Sequence, residues 1–232
     1  MTTFHSLHKN IISCKKCPRL VNWREEIAVV KTRRFSEEYY WGKPVPGFGD
    51  TNAEILLIGL APAAHGANRT GRMFTGDESG NWLYRALHKA GFSNKDSSLN
   101  RNDGLVLKNV YITATCRCAP PQNKPSKEEI QNCRPFILKE LRLLKKLRVI
   151  IGLGKIGFDA AFDCIKQCEL TELKSRPKFS HSAIVYLNTN LILIGSYHPS
   201  QQNTFTGKLT EPMFDSIFKL VKTHLKQKAT SI

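Results

Sequence analysis

From Glu54 to Asp77 the chain reads EILLIGLAPAAHGANRTGRMFTGD, an apolar run that breaks into a loop of Gly, Ala and small polar residues. Small residues let a ligand come close to the backbone. Among them stand His65, Asn68, Arg69, Arg72, Phe74 and Asp77, which together offer proton transfer, hydrogen bonding, positive charge and an aromatic face. A carboxylate such as Asp77 can polarise a water and offset positive charge developing on a reacting carbon. Its place directly before Glu78 equally suits the N-cap of a helix. A second polar group, SYHPSQQNTFTG at 196–207, follows a late apolar run and sets His198 next to Pro199. A neutral imidazole there can donate a hydrogen bond to an oxygen that is turning anionic. Asn123 lies between Pro121 and Pro125, where its amide can donate and accept, or simply serve a turn.

The cysteines form another chemical set. Cys14 and Cys17 make a C-x2-C pair, and Cys118 and Cys133 stand fifteen positions apart as C-x14-C. Four thiolates can hold zinc or an iron–sulfur cluster, provided the fold unites the two pairs. Buried, unligated thiols are the alternative. Cys164 and Cys168, one helical turn apart among Ala160, Ala161 and Ile165, fit a core stripe. Cys116 precedes Cys118 by two on an alternating strand end, so it shares that face as a spare ligand or a packed thiol.

These groups require a frame, and the hydrophobic pattern supplies one. Apolar strands at 54–59, 109–114, 148–153 and 191–196 alternate with helical stretches at 79–91, 126–147, 155–168 and 210–228. That alternation predicts an α/β fold with parallel pairing and helices on both faces. Ser126 followed by Glu129 is a capping box for the second helix. Residues 18–40 read as helical and basic, WGKPVPGFGD at 41–50 as a structured connection, and SAIVYL at 182–187 could add a strand. In such sheets ligands sit beyond the carboxyl ends of the strands, where the loop after Gly59 begins. One domain spanning 1–232 is expected, without repeats or linkers.

Lys and Arg total 35 against 19 Asp and Glu, a net charge of +16 spread along the whole chain. A folded basic face that meets a polyanion follows, with solubility as the plainer alternative. No apolar stretch reaches the roughly 20 residues that cross a bilayer. The polar amino end lacks a secretory core, so a cytoplasmic, intracellular location without membrane contact is expected. There, seven cysteines suit metal binding or burial better than disulfides. No G-x-G-x-x-G fingerprint or P-loop lysine occurs in the 59–77 loop, which argues against a nucleotide-phosphate enzyme.

Three segments, GLAPAAHGANRTGRMFTGD at 59–77, RCAPPQNKPS at 117–126 and SYHPSQQNTFTG at 196–207, resemble the B-type, or family 5, uracil-DNA glycosylases. WGKPVPGFGD at 41–50 and the spacing of Cys14, Cys17, Cys118 and Cys133 share the likeness, which covers nearly the whole chain. The resemblance implies a single three-layer α/β/α domain with a central, mainly parallel four-stranded sheet and an N-terminal cysteine-bearing segment packed on it. It also implies a structural 4Fe-4S cluster on those four cysteines, and removal of deaminated bases from double-stranded DNA by a monomeric enzyme. Catalysis would fall to Asp77 and His198, and base binding to Phe74, Asn123, His65 and Ala63. DNA contacts would come from Arg69, Arg72, Ser200, Gln201 and Asn203. Arg69 or Arg72 would touch phosphate or support Asp77 by charge. The segment 200–207, with Phe205, would enter the duplex gap left by an extruded nucleotide.

Two positions depart from the iron–sulfur relatives of family 4: Leu60 stands where they carry an acid, and Ala114 where they read the base with Asn. Both fit the B-type branch and predict a less selective pocket that admits hypoxanthine, xanthine or other damaged bases beside uracil. With no lysine placed as a Schiff-base nucleophile in these motifs, a monofunctional enzyme is expected. A noncatalytic, metal-stabilised DNA-binding module is the competing reading.

Overall fold

Four five-residue runs, ILLIG, VYITA, VIIGL and ILIGS, are buried at every position, as strands covered on both faces must be. In this computed structural model, which describes residues 2–188 and 190–227, they are β2 (Ile55–Gly59), β3 (Val110–Ala114), β4 (Val149–Leu153) and β6 (Ile192–Ser196). They pair in parallel in the order β3-β2-β4-β6. The short strands β1 (Phe48–Gly49) and β5 (Ile184–Tyr186) close the two edges antiparallel, so the sheet has six strands. The expected four are its parallel centre. Phe48–Gly49 is too short to show a period, whereas Ile184–Tyr186 falls inside the segment read as an additional strand.

Alternate residues feed opposite layers. Ile112, Leu57, Ile151 and Ile194 lie in register across the sheet and meet α4 (Glu78–Lys89) and α8 (Glu211–Gln227). Tyr111, Leu56, Ile150 and Leu193 face the other way, against α5 (Lys127–Leu143) and α6 (Gly154–Gln167). Each such side chain, fully buried, contributes about 1.5–3 kcal/mol. The last helix was expected to reach residue 228, which lies outside the described residues. At the amino end α1 (Phe4–Ile12) docks Leu7 and Ile11 on Phe136 of α5, and α2 (Pro18–Val30) follows the C-x2-C pair.

The expected helix over 18–40 stops at Val30. Lys31 turns to φ 53°, and residues 33–35 form only a single 3-10 turn. Two short helices, α3 (Ala67–Thr70) and α7 (Gln201–Phe205), lie within the polar segments after β2 and β6. The chain leaves β2 through α4 towards β3 and leaves β4 through α6 towards β6. The crevice between β2 and β4 is thus a switch point, with the loops after β2, β3 and β6 all at the same carboxyl end.

Candidate active site

Above that switch point lies a cleft of about 780 Å³. Its walls include Ala63, His65, Arg69 and Asp77 from the first loop, Asn123 from the second and Gln201 from α7. The three polar segments of the sequence therefore meet in one place.

Asp77 is the N-cap of α4, with extended backbone and Oδ1 accepting the Gly80 N–H at 2.9 Å. The other oxygen, Oδ2, packs over Gly66 so closely that a Cβ there would lie 2.0 Å from it. Helix capping thus engages Oδ1, and the second oxygen lies over Gly66 in the cleft wall. Burial pushes the Asp77 carboxyl up, opposed by the Gly80 N–H and the charge of Arg69.

Phe74 and His198 are not among the residues lining the cleft; they stack on each other, ring centroids 5.8 Å apart and planes at 29°. Phe74 holds φ 53°, a conformation costly for a bulky residue and common where function over-determines the backbone. Its ring lies against Gly59, where a Cβ would come within 2.8 Å. Burial lowers the His198 imidazole to about 4, so the ring is neutral at ordinary pH. Asn203 Nδ2 donates to the His198 carbonyl at 2.9 Å and steadies its backbone, while Ser200 occupies the N-cap of α7 without a side-chain bond.

The two arginines of the first loop turn inward. Arg69 donates to the His65 carbonyl at 2.8 Å and the Gly76 carbonyl at 3.0 Å, pairs with Glu38, and lies over the Phe35 ring at 3.9 Å. Arg72, only 4% exposed, grips Asp103 at 2.6 and 2.9 Å and also donates to Thr75 and Ser98. Both guanidinium groups are bonded to the protein's own loops.

His65 Nδ1 lies 3.0 Å from the hydroxyl of the buried Tyr40. That phenol makes no other hydrogen bond among the described residues, so the contact fixes the imidazole's orientation at the cleft. Arg34, Phe35 and Glu38, with Ser98, Leu99 and Asn100, complete the walls. Sequence reasoning passed over both stretches; the signals were the basic-aromatic run RRF and the turn-rich SSLNRNDG.

Cys14, Cys17, Cys118 and Cys133 border a second, small cavity. Among the described residues no three potential ligands converge tightly enough for a single ion. Arg24 donates to Cys118 Sγ at 2.9 Å, and Asn132 to Cys17 Sγ at 3.6 Å. Arg24 Nε and two nitrogens of Arg117 are buried without a partner, although Arg117 also pairs with Glu140 at 2.6 Å. Arg24 and Arg117 both line the cavity, and donors left over beside four thiols suit an anionic, thiolate-held group. Cys116 is buried beside Cys133 outside that lining, and Cys164 belongs to the core under α6.

The fold and cleft define an α/β protein whose chemistry sits on loops at one end of a parallel sheet. A family model described as the Uracil DNA glycosylase superfamily matches residues 46–222. The chain is 49% identical to a type-5 uracil-DNA glycosylase of Mycobacterium leprae over 93% of both chains. It is 50% identical to the type-5 enzyme of Thermus thermophilus, over 89% of this chain and 91% of that one. A type-4 uracil-DNA glycosylase of Pyrobaculum aerophilum is more distant, 31% identical over 68% of this chain and 63% of its own. This chain belongs to the uracil-DNA glycosylase superfamily, in its type-5 branch.

Proposed function

We propose that this protein excises uracil, and with it hypoxanthine, xanthine and other deaminated bases, from double-stranded DNA by hydrolysing the N-glycosidic bond. The observation that carries this reading is the carboxylate of Asp77 in the cleft wall: Oδ1 anchors the helix, and Oδ2 lies over Gly66, a residue of the same wall. A nucleotide extruded from the duplex places its sugar over the 63–77 loop and its base towards Phe74 and His198. Asp77 Oδ2 orients a water towards the anomeric carbon and offsets the positive charge that grows there. Neutral His198 donates to the base oxygen as the leaving group becomes anionic. Asn123 and the His65 imidazole meet the base edge, with Ala63 bounding its volume. Ser200, Gln201 and Asn203 set the segment that carries Phe205, 77% exposed, towards the gap in the duplex.

Arg69 and Arg72 act in this reading as positioning residues. Leu60 and the buried Ala114 supply no polar group that would reject purines, which supports the broad range. Among the described residues no lysine lines the cleft, in keeping with base release that leaves an intact abasic site. A structural 4Fe-4S cluster on Cys14, Cys17, Cys118 and Cys133 would tie the junction of α1 and α2 to α5, and Arg24 and Arg117 would neutralise its charge.

Duplexes carrying uracil, hypoxanthine, xanthine or a thymine mismatch, incubated with the protein and cleaved by alkali, test the reading. Product is expected from uracil and the purine lesions, and Asp77→Asn should lower the rate by about 10²–10⁴-fold. Binding without product from any lesion would leave a noncatalytic DNA-binding module in its place.

A further inference from the structure

Between α4 and β3 the residues SSLNRNDG at 97–104 build a loop that the reading above does not use. It is braced from within. The Asp103 carboxylate accepts the N–H groups of Leu99 and Leu105 at 2.9 Å and of Asn100 at 3.4 Å, while Arg72 grips it from the core. Ser98 bonds Arg72 and Thr75, each at 2.6 Å, and its carbonyl accepts the Gly76 N–H at 3.0 Å. The loop is thereby fastened to the residues that immediately precede Asp77.

On this rigid mount Leu99 stands 66% exposed at the edge of the cleft. Asn100, Arg101 and Lys95 around it are exposed and polar or basic. A scattered surface leucine is ordinary. One on a loop held by three backbone N–H groups that donate to Asp103 and by a buried ion pair, beside the candidate catalytic carboxylate, is placed for contact with a partner.

We propose that Leu99 is a duplex wedge, separate from Phe205, that enters the stack beside the extruded nucleotide; the inference rests on the glycosylase reading. Apolar side chains inserted between base steps recover burial as they unstack DNA. A preorganised loop loses little freedom on insertion, so more of that gain holds the nucleotide outside the helix. Arg101 supplies positive charge for a flanking phosphate. Because the wedge opposes restacking, it matters in a duplex and not in a single strand.

Single-turnover uracil release from a duplex and from the same strand unpaired distinguishes this role. Leu99→Ala, at an exposed position, is expected to leave the thermal midpoint unchanged and to slow release from the duplex about tenfold or more, the scale of one lost apolar contact. Release from the single strand should stay within about twofold, and Leu99→Met should restore most of the duplex rate, since Met is also a natural wedge residue. Equal loss on both substrates would make Leu99 part of the base pocket, and no loss on the duplex would make it a plain surface residue; either overturns the wedge. Wild-type protein that releases uracil from neither substrate would instead remove the glycosylase reading and the inference with it.

Discussion

Asp77 has to cap a helix and keep one oxygen free, and its surroundings set the pH at which that oxygen is charged. Burial raises its pKa; the Gly80 N–H and the charge of Arg69 hold it down. Water activation needs the carboxylate, so activity should be full above the raised pKa and fall as pH drops through it. The acid limb of single-turnover base release is thus expected above the ordinary carboxylate range. Arg69→Gln removes the lowering charge, and its acid limb should move to still higher pH in protein whose circular dichroism shows the fold intact. A limb that stays in place would assign it to a group other than Asp77. His198 contributes no limb near neutrality, since its imidazole is uncharged above about pH 4.

Loops that carry the site are held by pairs whose members come from distant elements. Burial would raise Asp103, yet the Arg72 guanidinium and the N–H groups of Leu105 and Leu99 outweigh it and hold the carboxyl well below the usual range. Asp103→Asn leaves the buried Arg72 charge without its counterion and should cost about 3 kcal/mol in urea unfolding. A loss below half of that would mean the loop relaxes around the change. The proposed cluster makes a parallel case at the other cavity: Cys17→Ser is expected to lose visible absorbance and to lower the thermal midpoint together, and wild-type protein that is colourless with full iron-free stability would argue for plain buried thiols. The central strands and the capping box of α5 were legible because a doubly covered strand is apolar throughout and Ser126 and Glu129 bond within one turn. The inward turn of Arg72 was not. Its acceptor lies 31 residues away, and residue type alone sends an arginine to solvent. The walls at 34–38 and 98–100 escaped for the same reason: their residues are ordinary polar loop types, and only tertiary packing brings them to the cleft.

At the scale of the whole molecule the net charge of +16 is the dominant long-range property, and it must act through the side chains that remain in water. With Arg69 and Arg72 buried, exposed cations around the site are expected to carry that role. Arg34 lines the cleft, Arg101 rests over the Trp41 ring at 4.5 Å, Lys124 follows Asn123, and Lys208 lies 5.1 Å from the Tyr197 ring next to His198. Aromatic faces under three of them, with Phe35 under Arg34 at 5.1 Å, restrict their motion while leaving the charge outward. If these four cations each meet a phosphate, counterion release gives a slope of about −3.6 in log K against log salt on duplex DNA. Fluorescence anisotropy with an undamaged duplex should show that dependence, and Arg101→Gln or Lys208→Gln should each reduce the slope by about one without changing which lesion is preferred. Arg72→Gln, by contrast, should alter stability and leave the slope as it was, because a guanidinium bound to Asp103 displaces no counterion. A slope that falls with Arg72 and not with Arg101 would reverse the assignment of the two arginines and put the phosphate path through the loop interior.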